Sequence, residues 1–154
     1  MTVLNKDKIL EQAKDFVEQG KLDKAIREYE KILNADPKDM RVKIRIAELY
    51  IKHRQIPLAI KLYREVADTY TQDGFFLKAV TILKNILRQN PSLMDVNADL
   101  ASLYDKMGLN SDASHQYEIL ANTYEQKGQY EEALKIWQKL VELIPDQKNY
   151  RYRL

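Results

Sequence analysis

A chain of 154 residues, 45% hydrophobic and 31% charged, suits one ordinary domain or one short solenoid and is too apolar to stay disordered. Its 25 basic and 23 acidic residues leave a net charge of +2, too even a balance for a general pull toward nucleic acid or acidic lipid. The absence of cysteine excludes disulfides and thiolate metal sites, and no apolar run approaches the ~18 residues of a membrane span.

Four glycines, four prolines and no alternating Val/Ile/Thr run make the composition helical. The start, MTVLNKDKILEQAK, has charges inside every apolar stretch and does not read as a signal peptide. A soluble cytoplasmic protein is the expectation. Residues 6–19 place Ile9, Ala13, Phe16 and Val17 on one helical stripe, and Gly20 follows as the helix-closing residue. A second helix over 22–34 turns Leu22, Ala25, Ile26, Tyr29, Ile32 and Leu33 inward and stops at Asp36-Pro37. A third covers 40–53. A fourth begins near Pro57, where a missing N–H costs nothing, and ends at Asp73-Gly74. The fifth spans 76–89 and the sixth 93–106. The seventh is expected behind a cap at Asn110 or Ser111 and ends before Gly128; the eighth spans 130–143 and closes at Ile144-Pro145. The short connections predict antiparallel neighbours, about eight helices in all.

The chain repeats itself. Ala59, Tyr63, Ala67, Tyr70, Gly74, Ala79, Ile82 and Pro91 return 54 residues later as Ala113, Tyr117, Ala121, Tyr124, Gly128, Ala133, Ile136 and Pro145. Ala13, Phe16, Gly20, Ala25, Ile32 and Pro37 lie 54 residues before Ala67, Tyr70, Gly74, Ala79, Ile86 and Pro91. Such repetition decides the fold before any other feature. The recurrent alanines let helix backbones approach, and a large residue one turn on (Tyr29, Tyr63, Leu83, Tyr117 or Trp137) fills the adjoining space. The tyrosines at 50, 63, 70, 104, 117 and 124 have helical spacing and are expected in the core.

With these residues the sequence resembles the tetratricopeptide repeat (TPR) family, whose 34-residue helix–turn–helix unit carries W-x2-L-G-x2-Y, then A-x3-F, then P. Ile46-Ala47 with Tyr50, and Leu100-Ala101 with Tyr104, stand for the L-G-x2-Y element; Ala59 with Tyr63, and Ala113 with Tyr117, stand for A-x3-F. Gly20, Ala25, Tyr29 and Pro37, and Gly128, Ala133, Trp137 and Pro145, extend the likeness over nearly the whole chain. The resemblance implies an all-α, TPR-like α-solenoid. The spacing departs from the family: the early-helix alanines 25, 59, 79, 113 and 133 are separated by 34, 20, 34 and 20 residues. The helices at 57–72 and 111–127 are therefore expected to close one repeat and open the next, in a 54-residue unit. The expected organisation is a single solenoid over 1–154, with units 6–37, 40–91 and 94–145. Residues 146–154 then start a further helix or form a C-terminal stub. Leu154 aligns with Leu100 and Ile46 at mid-helix, a pattern that favours a chain cut from a longer protein.

No catalytic constellation, phosphate loop, HExxH or calcium loop is present, so no enzyme, cofactor or metal is expected. His53 and His115 read as surface residues, and Glu131-Glu132 suit a helix start through its dipole. In TPR proteins the first helix of each repeat lines a concave groove, and here the resemblance implies the same. On helix 40–53 the non-core face carries Arg41, Arg45, Glu48 and Lys52, with Lys43 beside it; its copy carries Asp95, Asp99, Ser102 and Lys106. Arg41 and Arg45 are expected to hold an acidic segment of another protein, or Asp95 and Asp99 of a second copy, because arginine forks fit carboxylates. Exposed ion pairs contribute only ~0–1 kcal/mol, so apolar anchors are needed beside them, with Ile44, Ile51 and Leu10 the candidates. The chaperone-type carboxylate clamp is not expected, because Leu10 and Lys14 stand where its asparagine would lie. The sequence thus reads as a non-catalytic protein-interaction scaffold without nucleic-acid binding or membrane insertion, or alternatively as a module that self-associates through its end faces.

Overall fold

The computed structural model describes residues 5–154, so the first four residues of the stretch read as no signal peptide lie outside the described residues. The described residues form nine helices and no strand. They are α1 Lys6–Glu18, α2 Leu22–Ala35, α3 Met40–Lys52, α4 Ile56–Gln72, α5 Phe76–Gln89, α6 Met94–Lys106, α7 Asn110–Gln126, α8 Tyr130–Leu143 and α9 Lys148–Arg151. Among them no helix is long and apolar enough to cross a membrane. Their contacts divide into two compact units, the first ending at Asp73 and the second running from Gly74 to Leu154. In the first, α1 packs on α2, α2 on α3 and α3 on α4. In the second, α5 packs on α6, and α7 packs on both α6 and α8.

Local chemistry sets the helix ends. The amide of Lys8 donates to the Asn5 side-chain oxygen at 3.1 Å, and that of Val42 to Asp39 at 3.2 Å, capping α1 and α3. Pro57 sits in the first turn of α4. Tight helix-to-helix turns recur with one bond pattern. The amides of Lys21, Gln55, Leu109 and Gln129 reach back to the carbonyls of Phe16, Tyr50, Tyr104 and Tyr124 at 2.8–2.9 Å. The residue before each donor must then adopt a left-handed conformation, which Gly20, Gly108 and Gly128 do at φ 72°, 71° and 74° and Arg54 does at φ 58°.

That turn explains one departure from the sequence reading. Neither Asn110 nor Ser111 caps α7: Leu109 occupies the cap position without a side-chain bond, because the bond to Tyr104 has already steered the chain into the helix. A second departure concerns the C-terminal segment. α9 is a single turn whose buried residue is Tyr150, and Leu154 lies past its end, 56% exposed, rather than at mid-helix.

All ten recurrent alanines, from Ala13 to Ala133, are at most 2% exposed, as close backbone approach requires. In the first unit they pack with Ile26, Tyr29, Ile32, Val42, Ile46 and Leu49. In the second, Leu100, Tyr117, Leu120 and Leu140 are buried around Trp137. The Trp137 indole N–H donates to Glu125 at 2.7 Å, and the Arg153 guanidinium both pairs with Glu125 at 3.1 Å and lies over the indole. Tyr150 packs against Trp137 with ring centres 6.0 Å apart and donates its hydroxyl proton to Glu118. Of the tyrosines expected inside, Tyr63, Tyr104 and Tyr117 are buried while Tyr50, Tyr70 and Tyr124 are half-buried.

Candidate functional site

The first unit holds a groove of about 740 Å³. α1 contributes Lys6, Leu10, Lys14 and Val17, spaced so that they share one helical face. α3 contributes Arg41, Ile44, Arg45, Glu48 and Lys52 on the facing wall, with Tyr29 of α2 between the two. Each wall exists because the opposite face of its helix is buried: Ala13 on α1, and Val42, Ile46 and Leu49 on α3.

The groove carries five cationic side chains (Lys6, Lys14, Arg41, Arg45 and Lys52) against two carboxylates, Asp39 and Glu48. Both carboxylates are engaged. Lys6 bonds Asp39 at 2.6 Å and Arg45 bonds Glu48 at 3.1 Å. Burial tends to raise the Asp39 pKa, but the bonds from Lys6 and from the amides of Val42 and Arg41 prevail and hold the carboxyl below its usual range. The same bond to Asp39 raises the Lys6 pKa. Lys14, Arg41 and Lys52 form no ion pair among the described residues.

The structure therefore brings together Arg41, Ile44, Arg45, Glu48 and Lys52 with Leu10. Ile51 is half-buried and does not line the groove, whose wall at that end is Lys52. Asp95, Asp99 and Ser102 lie on α6 of the second unit; the two aspartates are exposed, Ser102 is half-buried, and none of the three lines this groove. Lys6, Val17, Tyr29 and Asp39 are lining residues that the sequence reading missed. The four-residue spacing of Lys6, Leu10 and Lys14 was the available signal for the α1 wall. His53 is exposed, with Nδ1 3.4 Å from an Asp23 oxygen, and His115 is also exposed. No group of three or more His, Cys, Asp or Glu placed to hold a metal occurs among the described residues.

The tetratricopeptide repeat family model matches residues 16–75, and a second model of the same description matches residues 114–147. The chain belongs to the tetratricopeptide repeat family. Among solved structures this TPR chain is similar to MamA, at 21% identity over 94% of each chain with a TM-score of 0.39. A thermophilic TPR protein from Thermus thermophilus is 19% identical over 96% of each chain, with a TM-score of 0.39. YrrB, described as a TPR protein with an unusual peptide-binding site, is 14% identical over 94% of this chain and 89% of its own, with a TM-score of 0.37. Comparison with curated proteins returns no match. What this TPR chain offers in its groove is a set of charge-assisted donors beside apolar side chains, the chemistry of recognition.

Proposed function

We propose that the protein is a non-catalytic, cytoplasmic interaction scaffold that holds an acidic segment of a partner protein in the α1–α3 groove. The observation that carries this reading is the charge balance of the groove: five cations, two carboxylates already engaged, and Lys14, Arg41 and Lys52 without an ion pair among the described residues. Leu10, Val17 and Ile44 supply apolar contact beside them, which exposed ion pairs require in order to hold a complex. The 54-residue unit with shared helices belongs to the same reading. It is supported by the left-handed turn positions 20, 54, 74, 108 and 128, which follow the alternating 34 and 20 spacing of the alanines.

The test is capture of partners by the immobilised chain beside its Arg41→Glu/Arg45→Glu variant, followed by mapping the captured segment. An acidic segment should protect α1–α3 amides from exchange, weaken with added salt, and lose about tenfold or more in affinity to the variant. Equal capture by both proteins would end the groove reading. Self-association is the second reading, favoured by the exposure of Phe75 (52%), Leu77 (70%) and Tyr130 (70%) in the second unit. A chain that sediments as a monomer at tens of micromolar would remove it.

A further inference from the structure

A second concavity of about 670 Å³ opens at one end of the first unit, where the α1–α2 turn lies beside the α3–α4 turn. Its lining includes Lys21, Lys24, Arg27, Lys52 and Arg54. The one carboxylate of the lining, Asp23, faces His53 at 3.4 Å. Lys21 makes a bond to the Gln19 amide oxygen, and the Lys24 ammonium lies over the Phe16 ring. Neither contact neutralises a charge. Five permanent cations from three chain segments thus crowd one basin with a single carboxylate among them.

The fold does not demand this crowding. Fifty-four residues on, Lys21, Asp23, Arg27, His53 and Arg54 are replaced by Phe75, Leu77, Thr81, Met107 and Gly108. The same helices and turns therefore form with almost none of this charge. Arg54 is the sharpest case. It holds a left-handed backbone at φ 58°, where the corresponding residue Gly108 sits at φ 71° without a Cβ to crowd. An arginine stands where glycine suits the backbone better, and its side chain joins the cationic basin.

We propose that this basin binds a phosphate dianion carried by a side chain of a protein partner, a phosphoserine or phosphothreonine. Two guanidinium and three ammonium groups offer more donors than the two oxygens of a carboxylate can accept. A phosphate group has three strong acceptor oxygens and nearly two charges at neutral pH, and so uses them. The site is separate in its lining from the α1–α3 groove except for Lys52, which lines both, and it stands or falls independently of the acidic-segment reading.

Arg54→Gly provides the test, because it removes a cation while giving the turn the residue its backbone favours. The full chain is titrated with a short phosphoserine peptide flanked by glycines, with its unphosphorylated counterpart, and with a short single-stranded oligonucleotide, following backbone amide resonances. The phosphopeptide should shift residues 20–24 and 52–54 selectively, and the serine peptide should not. Arg54→Gly and Arg27→Thr should each weaken phosphopeptide binding about tenfold, and Arg54→Gly should do so with an unchanged or raised melting temperature. Lys61→Gln, an exposed change on α4 outside the basin, should bind as the parent does. Scattered shifts, equal affinity for Arg54→Gly and the parent, or tighter binding of the oligonucleotide would each overturn the proposal.

Discussion

The two units present the same repeat with opposite chemistry at corresponding places. Where the first has Lys21, Glu28, Arg41, Arg45 and Arg54, the second has Phe75, Ile82, Asp95, Asp99 and Gly108. The buried alanines match instead of inverting: Ala13, Ala25, Ala47, Ala59 and Ala67 answer to Ala67, Ala79, Ala101, Ala113 and Ala121. Packing leaves little choice where backbones touch, because an added methylene has nowhere to go. It leaves wide choice at turns and outer faces, so the cations gathered in the first unit reflect something other than the needs of folding. The second unit concentrates on burial. Its Trp137–Tyr150–Arg153 cluster joins α9 to α7 and α8, while the equivalent of Trp137 in the first unit, Tyr29, helps to line a groove.

The contrast is broken most directly at Trp137, which is 4% exposed. Trp137→Ala should cost about 3–5 kcal/mol through the lost contacts and the cavity left behind, and it orphans Glu125 as an acceptor of the indole N–H. Native-state hydrogen exchange should show the loss in α6–α9 while α1–α3 keep their protection. An equal loss in both would mean that the two units unfold together.

Glu28 is next. It is 9% exposed, pairs with Lys31 at 2.7 Å through Oε1, and its Oε2 has no hydrogen-bond partner among the described residues. The corresponding positions hold Ile82 and Ile136. Glu28→Ile should stabilise the first unit by about 1–3 kcal/mol, because an orphaned buried acceptor is removed and an isoleucine already fits the equivalent site. Urea denaturation would measure it. A loss of stability would show that the ion pair with Lys31 outweighs the orphaned oxygen.

Tyr150 sharpens the comparison by pH. Burial, then the hydrogen bond to the Glu118 carboxylate and that carboxylate's charge, push its pKa from 10.0 to about 12. The folded value is raised above the unfolded one, so the contribution to stability is fully present below pH 10 and is lost as pH climbs toward 12. Alkaline unfolding of the second unit should therefore steepen in that window, and Tyr150→Phe should flatten the slope. An unaltered slope would show that Tyr150 does not govern the alkaline transition.

Most of the fold was legible because its signals are periodic: alanines that must be small, glycines or Asn/Asp-Pro pairs that must turn, and apolar residues on one helical face. Eight of the helices appear within a residue or so of their predicted bounds. What failed was local and chemical. Asn110 looked like a cap, but backbone bonding through Gly108 and Leu109 had already set the start of α7. Leu154 looked internal by alignment, but Tyr150 takes the buried place and the helix stops at Arg151. Half of the groove was legible from the charge pattern of α3. The wall from α1 was not, because which two helices face each other across a gap is a property of packing, and single-helix periodicity does not carry it. The basic basin was hidden for the same reason: Arg27 and Arg54 are distant in sequence and meet only once two turns lie side by side.

The smallest expected effect concerns those turns. Arg54 at φ 58° and Gly108 at φ 71° occupy equivalent positions, so exchanging their residue types isolates the cost of a side chain in the left-handed region. Arg54→Gly should stabilise the first unit by about 1 kcal/mol, and Gly108→Arg should destabilise the second by a similar amount. Nothing lies within 4 Å of a Cβ built on Gly108, so the cost there is conformational rather than steric contact with neighbours. Glycine also loosens the unfolded chain, which trims the gain at position 54 and enlarges the loss at position 108. Differential scanning calorimetry on both variants would measure the pair. A gain at 54 and a loss at 108 would mean that the arginine costs stability at the basin. A loss at both positions would mean that Arg54 makes contacts worth more than its strained backbone, and that its place in the turn is structural.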